Sequence, residues 1–88
     1  MKALAEAVVE SAAFLALSGD DEIHPDSAVR ALEYIAYAMQ KAPEEEKQAL
    51  LYYCREKADA LTNARSEDEK KRRDFYVSFG LNLGIADQ

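Results

Sequence analysis

Five side chains in one short stretch, Asp20, Asp21, Glu22, His24 and Asp26, could in principle hold a divalent cation through carboxylate oxygens and an imidazole nitrogen. Their spacing does not follow a calcium loop, which needs acids at alternate positions, a glycine and a terminal bidentate glutamate. A metal site on helices would set its ligands on one face, as in Glu-x-x-His, whereas the single histidine falls in a connector. These charges therefore read as solvated groups opening a helix, and no metal or cofactor is expected.

A second group, Lys70-Lys71-Arg72-Arg73 beside Phe75 and Tyr76, has the residue types that clamp a nucleic-acid backbone. Glu67, Asp68 and Glu69 stand four residues ahead of Lys71, Arg72 and Arg73, in the order that favours pairing along a helix. The run is expected to neutralise itself, and a helix would also spread its charges around the circumference. Cys54 is the single cysteine, so no disulfide framework or cysteine-rich zinc site can form. A nucleophilic cysteine would want a histidine base and a cationic setting. Cys54 instead shares a helix face with Leu50, Leu51, Ala58 and Leu61, where a thiol packs as a small hydrophobe. No phosphate loop, nucleophile elbow or paired-carboxylate helix motif is present, and enzymatic activity is not expected.

The tyrosines are the remaining candidates. Tyr34, Tyr37, Tyr52 and Tyr53 lie in two apolar stretches, and tyrosine suits interfaces because it joins a large apolar body to a polar tip. Tyr34, Tyr37, Ala38 and Tyr52 form the expected interface set.

Four helices must position these groups. Residues 2–18 form the first, with Leu4, Val8, Ala12 and Leu15 on its core face, Ala5 and Val9 beside them, and Gly19 as a left-handed cap. The second runs from Pro25 to about Lys41, opened by proline and Asp26. Its segment Ala28–Met39 carries only Arg30 and Glu33 as charges and is apolar nearly all round, so it is expected to be the hub of the fold. Pro43 with Glu44, Glu45 and Glu46 opens the third helix, which buries Leu50, Leu51, Cys54, Ala58 and Leu61, keeps Tyr53 at the edge and leaves Tyr52 partly exposed. Ser66 and Glu69 make a capping box for the fourth helix. From Phe75 to Ile85 the apolar residues alternate as in a strand, but no second strand is available within the chain to pair with it. The preferred reading is helix to Phe79 followed by an extended apolar tail; a strand would have to pair with another molecule.

Eighty-eight residues allow one domain with a thin core. The composition, 49% hydrophobic and 32% charged with three glycines, is that of a folded chain built from helices rather than many short strands. Net charge is −6, and all of it resides in residues 1–45, where nine acids face three bases. Such a half disfavours nucleic acid and would suit a basic protein. Glu6 and Glu10 interrupt the first apolar stretch, unlike a signal peptide, and no run reaches the ~20 apolar residues of a membrane span. A cytoplasmic location follows as an expectation from the lone cysteine. Together these features predict an all-α compact four-helix bundle with short connections and an extended C-terminal tail, spanning residues 1–88 as a single domain. Its expected role is a non-enzymatic interaction module, a homodimer through the second helix. The alternative is an acidic inhibitor of the immunity or antitoxin kind bound to a basic protein.

Overall fold

The computed structural model describes residues 2–82 and forms an all-α four-helix bundle, with helices α1 (Lys2–Leu17), α2 (Pro25–Gln40), α3 (Glu44–Ala60) and α4 (Glu67–Asn82). Local signals set most boundaries. His24 is the N-cap of α2, its Nδ1 accepting a hydrogen bond from the Asp26 N–H at 3.2 Å, while Pro25 fills the first helical position. At α4 the Ser66 hydroxyl accepts from the Glu69 N–H at 3.1 Å, and Glu69 Oε1 accepts in return from the N–H groups of Arg65 and Ser66. The capping box is thus formed in both directions.

Gly19 does not adopt the expected left-handed conformation. The turn after α1 closes instead with the Ile23 N–H donating to the Gly19 carbonyl at 3.1 Å and the Gly19 N–H directed at Glu22 Oε1 at 3.4 Å.

The centre of the bundle is α1, not α2. Helix α1 packs against α2, α3 and α4, and α3 packs against α4, whereas α2 lies on the outside against α1. The buried face of α1 is Ala5, Val9, Ala12 and Ala13, rotated from the expected line through Leu4, which is 67% exposed. Small side chains on that face let three neighbours approach closely, because interaxial distance follows the bulk at the contact. Helix α2 is more bulky, and only Ala28 of it is buried, with Leu32, Ile35, Ala36 and Met39 packed partly against the core. Helix α1 is also the more apolar of the two, so apolar residues around most of α2 do not make it the centre.

From the other side the core is completed by Leu50, Tyr53 and Cys54 of α3 and by Tyr76 and Phe79 of α4. Phe75 meets Tyr76 and Phe79 edge-on at ring separations of 5.8 and 5.7 Å. This packing carries α4 through Gly80, itself buried, to Asn82, so the helix does not stop at Phe79. A glycine inside a helix costs about 1 kcal/mol, less than the ~1.5–3 kcal/mol gained by burying a side chain such as Phe79. Residues 75–82 are accordingly helical rather than extended or strand-like; the rest of the expected tail, residues 83–88, lies outside the described residues.

Candidate functional site

Two assemblies of side chains stand out, one polar and one apolar. The polar one joins three helices at Glu10. Its Oε2 accepts hydrogen bonds from the hydroxyls of Tyr53 at 2.8 Å and Tyr76 at 2.7 Å, and Arg72 Nη1 lies 3.8 Å from Oε1. Burial alone would raise the Glu10 pKa, but the two phenolic donors and the charges of Arg72 and Lys57 outweigh it and hold the carboxyl below its ordinary value. Burial, followed by the hydrogen bond to Glu10, drives both phenols in the other direction, well above the usual tyrosine range. The result is an ionised carboxylate that keeps two protonated tyrosines as donors, a tie between α1, α3 and α4. Such a carboxylate is a poor general acid at neutral pH, since that role needs a raised pKa.

Arg72 therefore leaves the charge run on α4 for α1. Among the described residues, the ion pairs within 4 Å are Arg72–Glu10 and Arg73–Asp74, the latter at 3.7 Å. The expected helix-spaced pairs to Lys71, Arg72 and Arg73 are not formed. Glu69 is spent on the cap, and Glu10 offers Arg72 a site shared with two buried hydroxyls.

The acidic connector stays solvated: Asp20, Asp21, Glu22, His24 and Asp26 are all exposed. No group of three or more histidine, cysteine or acidic side chains converges on a common point among the described residues. Cys54 is buried at 3% exposure, and burial, with a smaller contribution from the Glu10 charge, pushes its thiol up to about 12. A thiol so placed is a core side chain, far from the thiolate that nucleophilic chemistry needs.

The apolar assembly is a groove of about 340 Å³ between α1 and α2, lined by Ala7, Val8, Ser11, Tyr34, Ile35, Ala38 and Met39. Two members of the expected interface set, Tyr34 and Ala38, meet there. Tyr34 stands at the groove 74% exposed. Tyr37 is placed differently: Lys41 Nζ donates to its hydroxyl at 2.6 Å and lies 4.1 Å from the ring centroid, covering one face. Tyr52 is 60% exposed on α3 and is not part of the groove wall. Tyr53 is not an edge residue but is buried at 7%, its hydroxyl committed to Glu10.

Residues of α1 that sequence reasoning did not select, Ala7 and Ser11, form the other wall. Their signal was present as small residues four apart, opposite the core face. A second groove, of about 300 Å³, opens between α2 and α4, with Val29 and Leu32 on one side and Phe75 and Phe79 on the other. Among the described residues, six of the nine large apolar side chains that remain exposed, from Leu4 to Tyr37, belong to α1 and α2.

No protein family, curated protein or solved structure matches this chain. The functional reading accordingly rests on the residues themselves. No helix is long and apolar enough to cross a membrane among the described residues.

Proposed function

We propose that this protein is a non-enzymatic protein–protein interaction module that self-associates through α2. The observation that carries this reading is the position of α2. Its segment Ala28–Met39, charged at Arg30 and Glu33 alone, lies at the periphery, with Tyr34, Tyr37 and Val29 each more than half exposed. Exposed apolar clusters of this kind mark contact surfaces, and a two-fold dimer is the commonest closed assembly.

Sedimentation equilibrium tests the proposal. A dimer mass is expected at tens to hundreds of micromolar, and Tyr34→Glu and Ala38→Glu should each weaken association by at least about tenfold, since each would desolvate a carboxylate. A wild-type protein that stays monomeric at high micromolar concentration overturns it.

The exposed acids of residues 20–26, in the half of the chain that carries the whole net charge, favour one second reading. In that reading the protein is an acidic inhibitor whose charge steers it onto a basic protein. Affinity purification at low salt that recovers no basic partner would dismiss it.

A further inference from the structure

We propose that α2 is a releasable strap, which leaves the bundle as one unit while α1, α3 and α4 stay folded together. The single chain suffices for this, whether or not it self-associates. The four helices are held unequally. Helix α1 packs on both α3 and α4, α3 packs on α4, and Glu10 joins the three through Tyr53, Tyr76 and Arg72. Helix α2 is seated on α1. Of its sixteen residues only Ala28 is buried, and its larger inward side chains, Leu32, Ile35 and Met39, are half-buried. The two largest fully buried side chains, Val9 and Phe79, belong to α1 and α4. An element with few buried apolar contacts opens before the rest of a structure.

Both long edges of α2 are also incompletely packed. The groove of about 340 Å³ runs along α1 on one side, and the groove of about 300 Å³ separates α2 from Phe75 and Phe79 of α4 on the other. Side chains facing such a recess lack the close contacts that hold a packed interior together. At the start of α2 the Asp26 and Ala28 N–H groups donate to His24, and at its end those of Lys41 and Ala42 donate to Ala38 and Met39. These bonds close within α2 and its own caps, so lifting the helix from α1 breaks none of them. A helix of sixteen residues is marginal in water by itself, so α2 unravels once it is off the bundle. Release uncovers Val8 and Ala12 of α1 with Phe75 and Phe79 of α4, and the two grooves become one apolar trough. The strap thereby gates a surface that the closed bundle covers.

Native-state hydrogen exchange, followed by mass spectrometry, tests the strap. The full chain is used at low micromolar concentration, below the range in which a dimer is expected. Amides of residues 29–40 should be at least about a hundredfold less protected than those of residues 9–13, 53–57 and 76–80, and their opening should depend less steeply on urea, because less surface is exposed. Glu10→Ala and Tyr76→Phe supply the second readout, with Tyr76→Phe sufficient if Glu10→Ala does not fold. Each loosens a tie that the released state keeps, so exchange should quicken in α1, α3 and α4 while that of α2 stays where it was. Three results overturn the proposal. One is α2 protected as strongly as α1, with the same urea slope. Another is α2 amides that open without any dependence on urea, which is local fluctuation rather than release. The third is α2 exchange that quickens in step with α1 in either variant.

Discussion

Removing the Glu10 carboxylate should be among the most damaging changes that can be made to a partly exposed residue of this bundle. Glu10→Ala leaves the hydroxyls of Tyr53 and Tyr76, residues 7% and 3% exposed, without the acceptor they share at 2.8 and 2.7 Å. A hydrogen bond to a charged group contributes about 1.5–3 kcal/mol, and a buried donor left unpaired costs about 1–3 kcal/mol. Glu10 is itself 32% exposed, so water can reach the vacated position and the lower end of each range applies. Two such bonds then give a loss of about 3 kcal/mol. The Arg72 pair, at 3.8 Å and with its side chain 41% exposed, adds at most a few tenths of a kcal/mol.

Against a total stability of about 4–13 kcal/mol for a chain of this size, that loss is large. It should lower the thermal midpoint by about 12–24 °C. Tyr53→Phe and Tyr76→Phe remove a hydroxyl without stranding a partner and should cost about 1 kcal/mol each. Urea unfolding followed by circular dichroism measures all of these, with Glu6→Ala on the exposed side of the same helix as the control. A double-mutant cycle between Glu10 and Tyr76 should show coupling of at least about 1 kcal/mol. If Glu10→Ala costs no more than Glu6→Ala, or if that coupling vanishes, the hydrogen-bonded tie is not what holds α4 to α1.

The same carboxylate gives the bundle an acid limit. Glu10 titrates below its ordinary 4.5 in the folded chain, so its contribution is complete above about pH 4.5 and is lost as pH falls through the lowered value; Glu10→Gln should flatten that part of a stability–pH curve. Glu69 is shifted the same way by the N–H groups of Arg65 and Ser66, and Glu69→Gln should remove its share of the acid loss. At the alkaline end the raised Cys54 thiol keeps the folded protein unreactive: with burial moving it from 9.0 to about 12, its thiolate fraction at pH 8 falls roughly a thousandfold. Disulfide-exchange reagents should then label it at the rate of unfolding, and labelling as fast as in urea would contradict its burial. Ser66→Ala deletes the acceptor of the Glu69 N–H at the start of α4 and should cost about 1 kcal/mol in the same urea assay.

Some of this architecture was legible before any coordinates. Pro25 with Asp26, Pro43 with three glutamates, and Ser66 with Glu69 mark helix starts through chemistry confined to one turn, and a reader of residues can see one turn. The apolar spacing of α3 was legible for the same reason, because Leu50 and Cys54 face inward whatever helix they meet. The end of α4 was not. Gly80 is a local stop signal, overridden because Tyr76 and Phe79 dock on other helices and draw the chain on to Asn82. The α1/α2 groove was half legible: Tyr34 and Ala38 are paired by helical spacing, while the α1 wall opposite them depends on how two helices cross.

By itself the sequence determined the class of fold, the number of helices and most of their boundaries, since propensity, capping and periodicity act over a few residues. Only the tertiary structure decided which helix is central. The apolar circumference of Ala28–Met39 pointed to α2, but the centre needs a helix that three neighbours can approach closely, and the small side chains at Ala5, Ala12 and Ala13 give that place to α1, which is also the more apolar of the two helices. The Glu10 tie, too, was out of reach of the sequence, because its partners lie 43 and 66 residues away. A carboxylate in an apolar helix is a liability until folding brings two tyrosine hydroxyls to it, and nothing local to Glu10 foretells which.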